Sequence, residues 1–423
     1  MSDEKKILKF KYSIDFVVDT DLPGIVKRPA GHGYTIDCPF CKRINKLNVN
    51  VEKNIWACPA CNEGGGLLAL HAKLHGKNNH WAKMDLDKRF KCLDESEQQA
   101  VAPVEVTTKD NNALSLSGRS NVFRHFLSHQ PITDRLLKEM GSDKRGNLTR
   151  EDVVKLGYRE YSEQKINSKF GYVNAAELAV LEAYEDKKII FNDLHKAPEA
   201  VAHVLENENN GIPGFKIRKG HIVAERPVCA GASSDAVYFL PVRARTGEIS
   251  FFQTMFPKLA DNATDEQKAR YKKYARYASF GDGGCATSGL ESVHYAIKGF
   301  DFKSDTTPEE VWLTEGVLKS DIASNISNRP FIALLGITNY AQLPEELKYL
   351  KEHGTKRITV AVDMDYIDKD SVANSMNTII KMVKDSGLEC RFATWTHEYK
   401  GIDDFLIAVK QGKPNVNLKI ETK

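Results

Sequence analysis

Short apolar runs alternate with amphipathic segments over the last quarter of the chain. The apolar runs are β-type and cover residues 311–314, 331–335, 357–362 and 390–395. Segments with apolar side chains at helical spacing follow them, at residues 317–325, 341–352, 371–385 and 403–410. Consecutive strand–helix units of this kind predict an open parallel sheet with right-handed crossovers.

Acidic side chains directly follow two of the apolar runs. Glu315 comes after the first run, and Asp363 and Asp365 come after the third. A carboxylate at the end of a buried strand costs free energy unless a positive charge neutralises it. Because parallel sheets bind ligands beyond the carboxyl ends of their strands, the pattern predicts a crevice that holds a hard cation through oxygen. The alternative is that Asp363 and Asp365 begin a loop and cap the next helix.

Two CxxC pairs lie near the start of the chain, with sixteen residues between them. The four residues are Cys38, Cys41, Cys58 and Cys61. This spacing is typical of a four-thiolate zinc site, and a closed tetrahedral set of sulfurs makes the zinc structural. A redox pair is the alternative for either CxxC alone. His32, His71 and His75 are spare candidate ligands, for which a surface or helix position is the ordinary interpretation.

Basic and aromatic side chains surround the cysteines, among them Lys42, Arg43, Lys46 and Trp56. Cations pair with phosphates and aromatic rings stack on bases, so the combination is compatible with a surface that binds single-stranded DNA. The alternative is a solvated basic face with Trp56 in a small core. The local sequence leaves both interpretations open.

Composition limits the class of protein. The 423 residues indicate two or three domains, with 41% hydrophobic residues and a net charge of only +3. No apolar run approaches 18 residues and no secretion signal is evident, so we expect no membrane span and a cytoplasmic location. Under those conditions the eight cysteines indicate thiols or metal ligands, not disulfides. No P-loop occurs, which argues against a fused helicase motor.

The middle of the chain predicts a linker and a second folded region. Residues 91–120 contain no aromatic side chain and are rich in acidic, amide and hydroxyl groups, which favours a flexible tether. Beyond it, residues 121–140 predict a helix interrupted at Pro131, and residues 236–242 and 248–255 predict a hairpin. The expected domains are 1–90, 91–120 (linker), 121–305, 306–412 and 413–423 (a basic tail).

Three motifs resemble the TOPRIM domain, a metal-binding module of DnaG-type primases, topoisomerases and some nucleases. They are TEG at 314–316, DMD at 363–365 and KGIDDFL at 400–406. The resemblance implies that Glu315 serves as acid/base or metal ligand and that Asp363 and Asp365 hold Mg²⁺, with Asp403 or Asp404 in support. Many primases carry an acid four residues after the Glu, where this chain has Lys319, so the number of metal ions stays open.

Other segments resemble further parts of DnaG-type primases. CPFC, NIWACPAC and NEGGGLLALHA resemble the primase zinc-binding domain, which is associated with reading the template trinucleotide. Residues 239–256 resemble a segment of the primase core, and RYKKYARYASF at 270–280 resembles a segment near the bound nucleotide or template. The resemblance therefore implies phosphate contacts from basic residues, namely Lys272, Lys273, Arg276, Arg243 and Lys319.

Together the resemblances imply a multi-domain α/β protein. A small zinc-ribbon β domain would precede a mixed α+β polymerase-type core that contains a TOPRIM parallel sheet. The implied activity is that of a DNA primase of phage, plasmid or mobile-element type, which makes RNA primers on single-stranded DNA. Its cofactors would be one structural Zn²⁺ and one to three Mg²⁺ or Mn²⁺ ions, and its partners nucleoside triphosphates and a separate replicative helicase. The alternatives are a TOPRIM nuclease and a catalytically silent DNA-binding replication protein.

Overall fold

The computed structural model divides the chain into two compact units, Met1–Asp110 and Asn111–Lys423. It describes residues 12–30, 33–51, 54–61, 63–100, 114–186, 212–224, 236–256, 264–265, 277–279, 290–367, 370–414 and 416–423. Within those ranges, no helix combines the length and the apolar character needed to cross a bilayer.

The first unit contains a five-stranded antiparallel sheet. Its strands follow one another across the sheet as β1 (Arg28–Ala30), β2 (Gly33–Ile36), β3 (Leu47–Asn50), β4 (Ile55–Cys58) and β5 (Glu63–Gly66). The helices are α1 (Ile14–Asp21), α2 (Leu67–Leu74), α3 (Asn79–Lys91) and α4 (Glu95–Ala100). Alternate residues such as Leu47, Val49 and Trp56 point into one core, as the two-residue period of a strand requires.

The second unit begins with helices and antiparallel strands. Its first helices are α5 (Leu116–Ser128), α6 (Asp134–Met140), α7 (Arg150–Leu156) and α8 (Ala175–Asp186). The strands described here are β6 (Arg159–Glu160), β7 (Lys165–Ser168), β8 (Gly171–Asn174), β9 (Phe215–Arg218), β10 (His221–Ala224), β11 (Tyr238–Arg243), β12 (Ile249–Met255) and β13 (Tyr277–Ser279). Four of these strands form a sheet in the order β13-β12-β11-β6. The pairs β7/β8 and β9/β10 are separate two-stranded sheets. The predicted β11–β12 hairpin and the helix break at Pro131 are confirmed.

A six-stranded sheet dominates the rest of the second unit. Its strands are β14 (Val293–Tyr295), β15 (Glu310–Glu315), β16 (Phe331–Leu334), β17 (Arg357–Val360), β18 (Glu389–Trp395) and β19 (Leu418–Thr422), in the spatial order β14-β16-β15-β17-β18-β19. Its helices are α9 (Val317–Ser327), α10 (Leu343–Glu352), α11 (Asp370–Asp385) and α12 (Ile402–Lys410). The four central strands are parallel, as the sequence predicts, and the two outer strands are antiparallel to them.

Both faces of this sheet are covered. On β15, Val311 and Leu313 pack into one apolar core, and Trp312 packs into a second core on the opposite face. Strands that are buried on both sides have near-continuous apolar sequences, which explains the short apolar runs. The polar residues that follow the strands therefore lie at the edge of a packed sheet.

Two expected boundaries need correction. Residues 413–423, expected to be a basic tail, contain β19, which pairs antiparallel with β18 from Leu418 opposite Trp395 to Thr422 opposite Arg391. The backbone of β18 offers a free edge, and a short alternating segment is enough to satisfy it. Parts of the expected linker, 91–120, are helical, because α4 covers Glu95–Ala100 and α5 begins at Leu116; residues 101–113 lie outside the described ranges.

Candidate active site and metal centres

A glycine turns the chain from β15 into α9 and aligns two charged side chains. Gly316 has φ +82° and precedes Val317, the first residue of α9. A side chain is strained at this φ, so glycine permits the sharp strand-to-helix turn. Lys319, one turn later, consequently reaches back to Glu315, with 3.2 Å between Nζ and Oε1.

Asp363 lies beside this pair, three residues beyond the end of β17. Its side chain is only 1% exposed, and Lys319 Nζ donates to both carboxylate oxygens at 2.6 and 2.5 Å. Lys400 Nζ is 3.3 Å from Asp363 Oδ2. The Asp363 carboxylate is therefore compensated by two lysines.

Asp403 reaches the same place from the start of α12. Its side chain is buried, and among the described residues Oδ1 has no hydrogen-bond partner. A Cβ at residue 401 would lie 2.3 Å from Asp403 Oδ1 and 3.4 Å from Asp363 Oδ1, so a side chain there would displace the Asp403 carboxylate. Asp404 instead accepts a hydrogen bond from the Gly401 backbone N–H at 3.3 Å and caps the helix. Asp403, not Asp404, is the acid that faces the site.

Burial and mutual repulsion raise the pKa of two of these carboxyls. Burial, reinforced by Asp363 and opposed by Lys319, raises the pKa of Glu315 to about 7. Burial and the neighbouring Asp404 raise the pKa of Asp403 to about 6. Burial alone would lower the pKa of Lys319, but the carboxylates of Asp363, Glu315 and Asp403 outweigh it and raise that pKa. The ammonium group is thus held charged among acids.

The oxygen donors of this site fit a hard divalent cation. Carboxylates are the ligands that Mg²⁺ prefers, and the unpartnered Asp403 Oδ1 is an oxygen available for coordination. In the described residues, no three of these acids bring their oxygens within 4.8 Å of one another, and Lys319 Nζ bonds to both Glu315 and Asp363. Asp365 lies in a 3₁₀ turn, Met364–Ile367, directly after Asp363; its side chain is outside the description.

The four ribbon cysteines form a cluster that could hold a zinc ion. Their sulfurs all lie within 4.8 Å of one another. The Sγ atoms of Cys38 and Cys61 are 3.8 Å apart, and so are those of Cys41 and Cys58. A tetrahedron with Zn–S bonds of about 2.3 Å has edges of about 3.8 Å, so both separations match four-thiolate coordination.

The ribbon residues predicted to contact DNA occupy two environments. Lys42, Arg43 and Lys46 are exposed in the loop after the first cysteine pair. Trp56 is 2% exposed and packs against Phe40, with ring centroids 5.2 Å apart. The expectation that Trp56 stacks on a base is therefore corrected, because its ring is already enclosed by the core of the first unit.

Arg243 is likewise enclosed. Its guanidinium donates from Nη2 to the Leu156 carbonyl at 2.8 Å, and its backbone N–H donates to His294 Nδ1 at 3.1 Å. His294 Nε2 in turn lies 3.2 Å from Asp321 Oδ1, and Tyr158 donates to Asp321 Oδ2 at 2.6 Å. The expected phosphate contact of Arg243 is corrected to a structural role, since the side chain is buried between sheet and helix. Lys272, Lys273 and Arg276 lie outside the described residues.

Two features of the sites were missed by sequence reasoning. Lys400, the first residue of the KGIDDFL motif, carried a usable signal because it precedes the acidic pair by only a few residues. His71, expected at a surface or helix position, does lie in a helix, α2, but its side chain is completely buried in the first unit. It forms a group with Asp21 and His75 whose ligand atoms all lie within 4.8 Å of one another. No local pattern relates Asp21 to residues fifty positions later.

Comparisons with known proteins give low-identity matches. A family model described as a domain of unknown function (DUF3854) matches residues 305–413. No curated protein matches the chain.

The solved structures similar to the chain include three primases. The Aquifex aeolicus primase (zinc-binding and RNA polymerase domains) is 14% identical, over 96% of this chain and 86% of that chain, with a TM-score of 0.41. A DNA primase domain from Pseudomonas aeruginosa is 14% identical, over 71% and 79% of the two chains, with a TM-score of 0.42. The RNA polymerase domain of Mycobacterium tuberculosis primase DnaG, in complex with double-stranded DNA, is 11% identical, over 71% and 80%, with a TM-score of 0.40. At these values the activity has to be inferred from the chain's own residues.

Proposed function

We propose that the chain is a DNA primase that makes short RNA primers on single-stranded DNA by metal-dependent nucleotidyl transfer. The observation that carries this proposal is the meeting of Glu315, Asp363 and Asp403, from three separate segments, around Lys319. They meet at the carboxyl ends of parallel strands, where such sheets bind ligands. The motifs around these acids resemble those of TOPRIM domains, and a four-cysteine cluster precedes them in the chain.

The acids would have different roles in the proposed reaction. Asp363 and Asp403, together with Asp365, would hold Mg²⁺ or Mn²⁺ through their oxygens. A metal held there would stabilise negative charge on the primer 3′-oxygen that attacks the α-phosphate of the incoming nucleotide and on the pyrophosphate that leaves. Glu315, whose pKa of about 7 suits a proton acceptor near neutral pH, would take the proton of the primer 3′-hydroxyl.

Lys319 would occupy two positions, one when the site holds no metal ion and another when it does. In the structure its ammonium group binds the carboxylates that a metal ion would bind. Its side chain is 29% exposed, so Nζ can move outward when a divalent cation enters. We propose that it then contacts a triphosphate oxygen of the incoming nucleotide, as a compact positive charge suits phosphate.

The first unit would deliver the template. We propose that one structural Zn²⁺ on the four cysteines stabilises the ribbon, and that the exposed Lys42, Arg43 and Lys46 contact phosphates of single-stranded DNA. Lys272, Lys273 and Arg276 remain proposed contacts to nucleotide or template. A separate replicative helicase remains the proposed protein partner.

One observation favours a second candidate, a catalytically silent DNA-binding protein. The Lys319–Asp363 contact already neutralises the acid best placed to hold a metal. A protein that had lost its metal chemistry while keeping the fold would show the same contact. A TOPRIM nuclease is the third candidate, because the same acids can direct water at a phosphodiester.

The test is to incubate the protein with single-stranded DNA, Mg²⁺ or Mn²⁺ and labelled nucleoside triphosphates, and to resolve the products on a sequencing gel. Short oligonucleotides built from free nucleotides support the primase. Shortening of the template identifies a nuclease, and absence of both products identifies a silent binder; either result overturns the primase proposal. Omitting the metal is the matched control, since it should abolish synthesis without abolishing DNA binding.

A further inference from the structure

The imidazole of His71 has an arrangement that a neutral histidine cannot satisfy. The side chain is completely buried, its Nε2 lies 3.0 Å from Asp85 Oδ2, and its Nδ1 contacts Asp21 Oδ2. A neutral imidazole has one N–H and one lone pair, and both carboxylates are acceptors. One ring nitrogen therefore faces a carboxylate with no proton between them, unless a second proton or a metal cation is present.

His294 provides an internal comparison. It is equally buried, but its Nδ1 accepts from the Arg243 backbone N–H and its Nε2 can donate to Asp321. A neutral ring satisfies both of these contacts. The need for a second proton or a metal cation on the ring is therefore a property of the His71 environment, not of buried histidines in this protein.

We propose that Asp21, His71 and His75 bind a second zinc ion in the first unit. Asp21 is the last residue of α1 and His71 lies in α2. His75 comes four residues after His71, directly after the end of α2 and on the same face. One carboxylate oxygen of Asp21 contacts His71, and the other lies 3.2 Å from His75 Nε2. Two imidazoles and one carboxylate are a common donor set for zinc, with the fourth position open to water.

The residues around these three ligands have the roles expected of a zinc site. Metal-bound histidines commonly donate their other ring N–H to a carboxylate, as His71 can donate to Asp85. Trp81 stacks on the His71 ring at 5.1 Å and 9°, which covers one side of the site. His75 is 36% exposed and leaves a side accessible to solvent.

Arg89 supplies the positive charge in the metal-free arrangement. Its Nη1 lies 3.1 Å from Asp21 Oδ1, and its Nε lies 2.6 Å from Asp85 Oδ2. The side chain is 33% exposed and can turn outward when a metal replaces its charge. A zinc ion would thus connect α1 to α2, with α3 contributing the supporting Asp85 and Trp81.

The test is the zinc content of the full chain, with affinity measured by competition against a chelating dye. We expect two zinc ions per wild-type chain and one in His75→Gln, while the matched control His80→Gln, an exposed histidine of α3, retains two. We also expect Arg89→Gln to bind the second ion about tenfold more tightly, because a competing charge is removed. The proposal is overturned if the wild type binds one ion even with added zinc, or if His75→Gln retains two. Weaker binding in Arg89→Gln would also contradict it, and circular dichroism checks the fold of each variant.

Discussion

The ammonium group of Lys319 binds both carboxylate oxygens of Asp363, at 2.6 and 2.5 Å. Asp363 is almost completely buried, so its negative charge depends on this partner and on Lys400 for compensation. Lys319 comes from α9 and Asp363 lies three residues beyond the end of β17, so the contact joins neighbouring parallel units of the sheet. The same contact places a protein cation where a metal ion would bind.

Replacing Lys319 with methionine should strengthen magnesium binding. The substitution removes a competing positive charge within a few ångströms of the acids, and we expect the Mg²⁺ dissociation constant to fall about tenfold. Titration calorimetry measures this change. The matched control is Lys348→Met, an exposed lysine on α10 that should leave magnesium binding unchanged. An unaltered or weaker affinity in Lys319→Met would show that Lys319 does not compete with the metal.

In magnesium-free buffer, Glu315 should make the protein less stable as pH rises. Its pKa in the folded state, about 7, exceeds the ordinary 4.5, so the folded chain binds this proton more tightly than the unfolded chain. The protonated Glu315 carboxyl makes its full contribution to the free energy of unfolding below about pH 4.5, and this contribution is lost as the pH rises to 7. Compared with Glu315→Gln, which does not titrate, the wild type loses about 3 kcal/mol over this range. The raised pKa of Lys319 adds no slope here, because that group stays charged throughout.

Hydrogen exchange of the β15 and β17 amides at pH 5 and pH 8 measures this effect, comparing each variant with wild type at the same pH. Glu315→Gln should gain protection relative to wild type at pH 8 and little at pH 5. Glu151→Gln, an exposed residue of α7, is the control and should behave as wild type. Equal protection of Glu315→Gln and wild type at pH 8 would mean that Glu315 is not destabilised by burial.

The zinc ribbon should unfold separately from the second unit when its metal is lost. Metal binding contributes folding free energy on the order of 10 kcal/mol in small zinc domains. Cys58→Ser should therefore lose one zinc ion and the exchange protection of residues 35–75, while the six-stranded sheet keeps its protection. Cys92→Ser, which removes an exposed cysteine outside the cluster, should retain both metal and protection. Full protection of the ribbon in Cys58→Ser would rule out a structural zinc there.

The basic loop of the ribbon should account for part of the salt dependence of DNA binding. Lys42→Ala/Arg43→Ala removes two exposed cations. If each contacts a phosphate, the slope of log K against log salt for single-stranded DNA should decrease by about 1.4. Lys77→Ala/Lys83→Ala, two exposed lysines of the same unit, is the control for net charge. Fluorescence anisotropy at several salt concentrations measures both; equal slopes in the two double variants would indicate a merely solvated face.

The order of strands and helices from residue 310 to residue 410 could be predicted because each of these elements carries its own periodic pattern. Runs such as 357–362 are apolar since both faces of the sheet are covered, and the acids that end them stand out against that background. Asp403 and Asp404 were both candidates. Only the structure distinguishes their roles. Asp404 accepts a hydrogen bond from the Gly401 N–H and caps the helix, whereas Asp403 faces Asp363.

Burial of individual polar or aromatic residues could not be predicted in the same way. The side chain of Arg243 contacts Leu156, 87 positions earlier, and Trp56 is enclosed by the core of the first unit, so their exposure depends on tertiary packing and not on local pattern. His71 and His75 do have helical spacing, which is a usable signal. Their partner Asp21 is brought to them by the packing of α1 on α2, which no local signal specifies.

The central claim is that the acids at the strand ends carry out primer synthesis, and the rate of Asp363→Asn tests it most directly. The substitution keeps the shape of the side chain but removes the charge that would hold the metal. Primer synthesis on single-stranded DNA should fall on the order of 10³-fold while DNA binding is retained. Asp305→Asn, in an exposed loop before β15, should synthesise primers at the wild-type rate. Primer synthesis by Asp363→Asn at the rate of Asp305→Asn would contradict the account.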